Sequence, residues 1–351
     1  MTPVVTGRVL RTRRETLSLR LDARAVSVCL GLTVALLAVM AVTLTTGTYQ
    51  LSIPDVLNAV IGQGEGAADF IVNTLRLPRL LTALLVGAAL AVSGAILQTL
   101  TANSLGSPDV IGFNSGAATG ALLVIIVFGG GMLQVAAGAL IGAITAAALI
   151  YLLAFTRGVQ GVRFVLMGIA INALAVATNS YLITRANLYD ALTAQAWLVG
   201  SVNSRGWEHV TAAALALAVL LPVALYHARS LSMMELGDDS AKALGVGVQR
   251  SRAVLIVVSV LLAAFATAAA GPIAFVALAA PQLARRLTRA SAPGLVSSAL
   301  LGALLLTAGD LAIQQLFPTA QLPVGTATGC IGGLYLIWLL ASEWRGKGRY
   351  T

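Results

Sequence analysis

From Ala25 to Leu340 the chain is a succession of apolar runs of membrane-spanning length, separated by short polar stretches. A run of that length has few folding options. It crosses a bilayer as a helix, or it is one strand of a barrel. A barrel needs short alternating segments with aromatic girdles, and no such alternation is present; aromatic residues are 5% of the sequence. Only 10% of the 351 residues are charged and 58% are hydrophobic, which excludes a water-soluble domain over this length. The 35 glycines and abundant alanines fit close helix packing in lipid. The chain is therefore read as all-α and polytopic.

Ten runs are read as transmembrane helices, over about 25–46, 75–100, 110–128, 132–155, 164–183, 209–227, 253–270, 273–283, 294–316 and 324–340. Pro78 falls in the first turn of the second, where a missing N–H is tolerated. Gly129 to Gly131 form a tight turn, and Gly271 with Pro272 a hinge. Ten crossings place both termini on one side. That side collects 18 of the 22 Lys and Arg residues, while the other keeps Arg76, Arg79, Arg185 and Arg205. The bias puts both termini in the cytoplasm and accounts for the net charge of +9 without nucleic acid. Residues 1–24 become a basic cytoplasmic arm, 25–342 the membrane domain and 343–351 a basic tail. A cleaved signal peptide is the alternative for the first run, but the run is longer than a signal core and lacks a small-x-small cleavage site.

Several chemistries find no footing. Cys29 and Cys330 sit inside apolar runs, and His209 and His227 have no ligand partner at metal spacing. There is no GxxxxGK[ST] loop to hold ATP, and no Ser/His/Asp or Cys/His set.

Four polar features stand out. The densest is the island at 233–252, MMELGDDSAKALGVGVQRSR, which faces the cytoplasm in the topology above. Asp238 or Asp239 can cap a helix start, and Ala241, Leu244 and Val248 recur at helical spacing before Gly245 and Gly247 break it. It is either a solvated loop with a helical turn or a short helix offering one face to a soluble partner. The second feature is Arg76 and Arg79, one turn apart at the outer end of their helix. They are either snorkelling cations or a latch for an extracellular partner bearing carboxylates. The third is Asn103, Ser104, Leu105, Gly106, Ser107 and Pro108 at the cytoplasmic end of a hairpin, either an ordinary turn or a constriction able to open. The fourth is the hinge together with Asp310, an acid inside an apolar run near its outer end, with Gln314 beside it.

The stretches RLPRLLTALLVGAALAVSGAILQTLTANSLGSPDVIGFNSGA, LGDDSAKALGV, AGPIAFVALAAPQLARRL and QLPVGTATGCIGGLYLIWLL occur in that order. They resemble the characteristic blocks of the iron-siderophore and cobalamin ABC importer permease family. GSPDVIGFNSGA and QLPVGTATGCIGGLYLI are most similar to ferric-enterobactin-type permeases. The resemblance implies a type II ABC importer permease with ten transmembrane helices, in the bacterial cytoplasmic membrane. It also implies a second permease subunit, a paralogue rather than a second copy, with two cytoplasmic ATPase subunits and an extracytoplasmic siderophore-binding protein. ATP and Mg belong to the partner ATPases, and this chain binds no cofactor of its own. By position, Arg76 and Arg79 match arginines that meet the binding protein. Glu235, Leu236, Asp238, Asp239, Ala241, Leu244 and Gly245 match coupling helices seated in the ATPase. Asn103, Ser104 and Leu105 match a segment that closes the translocation route. Four departures are present: Asn103-Ser104-Leu105 replaces Asn-Pro-Leu, Pro281-Gln282 replaces Pro-His, Gln314 replaces an arginine, and Gln321-Leu322-Pro323 replaces Glu-Leu-Pro.

The expected function is inward transport of a ferric siderophore, catecholate ahead of hydroxamate, haem or cobalamin, by alternating access driven by the partner ATPases. The competing reading is an ion-coupled secondary transporter, for which Asp310 is the intramembrane acid. A membrane-embedded enzyme is disfavoured by the lack of clustered His, Cys or acidic residues.

Overall fold

The computed structural model describes residues 8–11, 18–47, 49–155, 161–290, 294–317 and 322–347. Residues 318–321 of the short turn expected at 318–323, Gln321 among them, most of the basic stretch at 156–163 and the last residues of the tail lie outside that set. In the basic arm, β1 (Arg8–Arg11) pairs antiparallel with β2 (Ser18–Leu21), Arg8 opposite Leu21. These two four-residue strands are the departure from an all-helical reading; the rest of the fold is helical.

The helix α1 (Ala23–Thr45) starts at Asp22, whose carboxylate accepts from the Arg24 N–H. The stretch expected to be a polar loop holds α2 (Ile53–Val60), begun by a capping box between Ser52 and Asp55. It also holds α3 (Gly66–Phe70), which runs through a π-helical segment (Ile71–Arg76) into α4 (Leu77–Leu100). Next come α5 (Pro108–Ile111), α6 (Phe113–Leu123), continued by a π segment to Phe128, and α7 (Met132–Ala154). They are followed by α8 (Gly161–Arg185), α9 (Leu188–Leu198), α10 (Trp207–Tyr226), α11 (Ala228–Met234) and α12 (Asp238–Ala243). The chain ends with α13 (Val248–Ala270), α14 (Val276–Thr288), α15 (Leu295–Leu316) and α16 (Val324–Lys347). Among the described residues seven helices are long and apolar enough to cross a membrane, and Phe113–Phe128 is a shorter apolar helix.

α4 is the axis of the bundle. In its most apolar stretch 83% of residues are buried, against 11% for α1, so α4 is wrapped by protein and α1 lies at the periphery. α13, α14 and α15 pack around α4. Two glycines on α4 explain how closely. A Cβ on Gly87 would stand 2.3 Å from the Gly302 carbonyl oxygen of α15, and one on Gly94 would stand 1.7 Å from the Ala277 oxygen of α14. Pro281 has no N–H to offer the Ala277 carbonyl four residues back, and Gly94 packs on that unclaimed carbonyl. Backbone-to-backbone approach of this kind drives helix association in lipid, where apolar burial gives no advantage.

Candidate functional site

Polar side chains gather at the two ends of α4, whose 24 residues rise roughly 36 Å. At its N-terminal end, Arg79 makes a two-pronged ion pair with Asp310 of α15, Nε to Oδ2 at 2.8 Å and Nη2 to Oδ1 at 2.7 Å. The Asp310 side chain is 3% exposed, and Gln314 Nε2 donates to Oδ2 at 2.8 Å. Asp310 and Gln314 thus meet each other and Arg79. Arg76 points elsewhere. Its guanidinium donates to the Leu44 and Tyr49 carbonyls, holding the end of α1 and the turn after it. A cavity of about 700 Å³ opens here, lined by Arg76, Arg79, Arg205, Asn203, Gln314 and Gln315 among others. Arg205 Nε donates to the Ser201 carbonyl. Burial pushes the Arg205 guanidinium down to about 10, with the Glu208 carboxylate opposing the shift, so it is charged at neutral pH.

The charged island lies at the opposite end of α4 and is folded as two short helices, α11 and α12. Its residues divide by direction. Glu235 pairs with Arg285 of α14, which also donates to Thr99 Oγ1 near the end of α4 at 3.2 Å. Asp238 receives both terminal nitrogens of Arg252 at the start of α13, at 3.0 and 2.6 Å. Ala241 is fully buried. Facing outward are Leu236, Leu244 and the Asp239 side chain, the last 99% exposed beside Lys242. Gly245 takes a left-handed φ of 82° and closes the short helix, its N–H donating to the Lys242 carbonyl.

Near this end, residues 101–107 form the break between α4 and α5. Asn103 Oδ1 accepts from the Leu105 N–H, and the Asn103 carbonyl accepts from Gly106. Ser104 and Leu105 are exposed, and the Ser104 carbonyl accepts from Gln282 Nε2 of α14 at 2.6 Å.

A third polar region lies between α6, α8 and α9, open on the side of the exposed Ser180 and Gln195. A cavity of about 410 Å³ is bordered by Asp109, Asn114, Ser115, Asn179, Ser180 and Gln195. The Asn114 amide and the Phe275 N–H donate to the Asp109 carboxylate, and Thr267 donates to Asn114 Oδ1. Asn179 Oδ1 is buried with no hydrogen-bond partner among the described residues.

The FecCD transport family pattern matches residues 35–342, which takes in both polar ends and the bundle between them. This chain belongs to that family. It is 45% identical over 304 residues to the ferric enterobactin transport system permease protein FepG of Escherichia coli strain K12, covering 87% of this chain and 92% of that protein. A probable siderophore transport permease of Bacillus subtilis strain 168, YfhA, is 37% identical over 323 residues, 89% of this chain and 93% of that one. A solved inward-facing structure of a metal-chelate-type ABC transporter superposes with a TM-score of 0.82 at 29% identity, over 90% of this chain and 99% of that chain.

In this FecCD-family chain the sequence-read residues fall into two places. Arg76, Arg79, Asp310 and Gln314 share one end. Glu235 to Gly245 and Asn103 to Leu105 share the other, joined by α14. Sequence reasoning missed Asp109, Arg205, Gln282 and Arg285 as members of these clusters. Gln282 stood out as a departure from the family's Pro-His, and that was the available signal. Asp109 lies in the short polar break before the third run, and nothing local marks it as facing a cavity.

Proposed function

We propose that this chain is one permease subunit of an ATP-binding-cassette importer that carries a ferric siderophore, of catecholate type, inward across the bacterial cytoplasmic membrane. The observation that carries the reading is the 45% identity to a ferric enterobactin permease over nearly the whole of both chains. Ten crossings follow if Phe113–Phe128, α14 and α16 join the seven longer spans. The distribution of Lys and Arg then sets both termini and the island in the cytoplasm, and the arginine-lined cavity outside. The partners are a paralogous second permease, two ATPase subunits holding ATP and Mg, and a siderophore-binding protein outside.

The geometry divides the labour. Among the described residues, the outer basin presents Arg76 and Arg205 without an ion-paired carboxylate and Arg79 already bridged to Asp310. Carboxylates on a binding protein are the complement to such a surface, and they would steer its docking. On the inner side, Leu236, Asp239 and Leu244 are turned outward, as a ridge seated in an ATPase cleft would be. Glu235 and Asp238 are turned inward onto Arg285 and Arg252, so a push on the ridge is passed to α13 and α14. Asn103 to Leu105 close the route at its cytoplasmic end.

Ion-coupled transport is the second reading. Asp310 offers it little, because Arg79 neutralises the carboxylate. Asp109, a carboxylate bordering a polar cavity between helices, is the feature that favours it. Reconstitution separates the two. Uptake of iron-labelled catecholate chelate into liposomes is expected only with the ATPase subunits and internal ATP. Uptake by the permeases alone under an ion gradient would overturn the importer reading.

A further inference from the structure

Two polar side chains stand one turn apart on α14, Gln282 and Arg285, and each grips a different functional segment. Arg285 is paired with Glu235 of the island and donates to Thr99 at the end of α4. Gln282 is buried; its Nε2 donates to the Ser104 carbonyl at 2.6 Å, and its Oε1 accepts from the Tyr335 hydroxyl of α16 at 3.3 Å. The amide is thus oriented from one side by α16 and spent on the closing segment at the other.

The segment's remaining hydrogen bonds are short-range. Asn103 N–H donates to the Gln98 carbonyl, Leu105 N–H to Asn103 Oδ1 and Gly106 N–H to the Asn103 carbonyl. These shape the turn and root it on α4, while the Gln282 bond reaches it from another helix. The turn also contains Ala102 at a φ of 48°, a left-handed conformation that an L-residue holds only when neighbours impose it. Serine at 104 leaves the backbone freer than a proline would. The position of the turn therefore depends on its outside tie. The first turn of α14 is held to α4, by Gln98 Nε2 on the Leu278 carbonyl at 3.0 Å and by Gly94 on the Ala277 carbonyl, so the later turns that carry Gln282 and Arg285 can swing about it. The helix behaves as a short rod between left-handed residues at Phe275 and Arg289.

We infer that Gln282 is the latch of the closing segment, and that α14 links this latch through Arg285 to Glu235 on the ATPase-facing island. Displacing the island at Glu235 moves Arg285, and one turn along the rod the amide is withdrawn from the Ser104 carbonyl. Gln282 is a positioning residue: it acts through the turn and not on cargo. One neutral hydrogen bond biases the closed state by about fivefold, small enough for ATP-driven motion to reverse. The inference rests on the reading of 103–105 as a closing segment.

The test uses the whole importer in liposomes, with Leu105→Cys introduced after Cys29 and Cys330 are replaced by serine. Two readouts are taken, the rate of maleimide labelling at position 105 and chelate taken up per ATP hydrolysed. In the parent, labelling should differ between nucleotide-free and vanadate-trapped states. Gln282→Ala should raise resting-state labelling about fivefold and lower uptake per ATP by a similar factor, the worth of the lost bond. Gln282→His, whose ring N–H can donate to the same carbonyl, should recover both. Tyr335→Phe should move both readouts in the direction of Gln282→Ala by a smaller factor, and it covers the case in which Gln282→Ala fails to assemble. Glu235→Ala should add nothing on top of Gln282→Ala, as members of one chain are non-additive. State-dependent labelling that is unaltered in Gln282→Ala and Tyr335→Phe would overturn the latch and leave the closing segment standing. Labelling that is identical in every state of the parent would overturn the closing segment itself, and the latch with it.

Discussion

Replacing Asp310 with leucine leaves the Arg79 guanidinium without its carboxylate between α4 and α15. Removing one member of a buried pair costs about 3–5 kcal/mol, most of it the penalty of the charge left behind. The two members are not equally trapped. Arg79 retains 22% exposure at the edge of the basin, so its orphaned charge can turn toward water, and Asp310→Leu should cost about 3 kcal/mol. Asp310 is 3% exposed and would keep only Gln314, so Arg79→Met should cost more, about 4–5 kcal/mol. The double variant Arg79→Met/Asp310→Leu removes both charges and fills the space with apolar atoms. It should return to within about 1 kcal/mol of the parent, since replacing a whole buried pair is close to neutral.

The measurement is denaturant unfolding in mixed micelles followed by loss of helical circular dichroism, for the four chains of the cycle. Single variants each costing under about 1 kcal/mol, or a double variant equal to the sum of the singles, would refute the buried-pair argument. The same four chains also separate strut from latch. If the Arg79 charge serves only the bundle, the double variant binds an acidic partner as the parent does. If the charge is also presented to the basin, the double variant is stable and binds more weakly, with a smaller dependence on salt.

Three further outcomes are expected. Asp239→Lys should change folding stability by less than about 0.5 kcal/mol, because exposed i,i+3 pairs contribute little, whereas Asp238→Lys sets a second cation against Arg252. Both should depress ATP-coupled uptake, and unimpaired uptake in the doubly reversed chain would remove the island from the coupling path. Gly94→Ala puts a methyl group into the Ala277 carbonyl and should cost about 3 kcal/mol, the upper part of the overpacking range, read as a lower melting temperature in detergent; an unchanged melting temperature refutes the close approach. Arg205→Gln should weaken binding of an acidic partner, and the Arg205-dependent share of affinity should be present below about pH 10 and vanish as the pH rises through it, as its guanidinium deprotonates near that value. A pH-independent difference across that range would refute it.

How far the residues announce the structure depends on the range of the interaction. Helix positions are carried by local hydropathy, and the expected runs at 25–46, 132–155 and 294–316 differ from α1, α7 and α15 by only one or two residues at either end. Breaks are local too. Gly271 takes a φ of 75° after α13, and Pro272 cannot donate. Short helices such as α2 and α9 hide in polar stretches, because eight to eleven residues give a weak periodic signal. What no local pattern can carry is the identity of a distant partner. Arg79 and Asp310 are 231 residues apart, and Gln282 and Ser104 are 178 apart. The sequence marks each as a polar residue near the end of an apolar run; only packing decides that two of them share one hydrogen bond. Asp109 is the clearest case. Its neighbours Ser107 and Pro108 make it look like a helix-starting acid, which it is, yet α5 places it at the edge of a polar cavity beside Phe275.

The distribution of contact types bears on how such a chain can move. Through the middle of the bundle, α4 meets α14 and α15 through glycine and backbone, contacts that tolerate no added atom and so resist sliding. The ion pairs that tie helices together are at the two ends: Arg79 to Asp310 at one, and Glu235 to Arg285 with Asp238 to Arg252 at the other. A bundle built this way transmits force as packed helices moving together, because the close-packed middle cannot absorb displacement. The loose elements are the ones with few outside ties; the turn at 102–105, at the island's end of α4, is exposed and takes a hydrogen bond from α14. A push delivered to the island is therefore expected to leave the α4–α15 contact intact and to appear at that turn. Cross-linking Gly87→Cys to Gly302→Cys would not decide this, since neither site has room for a side chain. Pairing a label at Leu105 with one at Leu244, both exposed, would. The distance between them should change on nucleotide binding, while a pair at Leu75, in the π segment that runs into α4, and Leu316, at the end of α15, both exposed, holds constant. Equal changes in both pairs would mean that the middle deforms, and that the rigid-body reading of the glycine contacts is wrong.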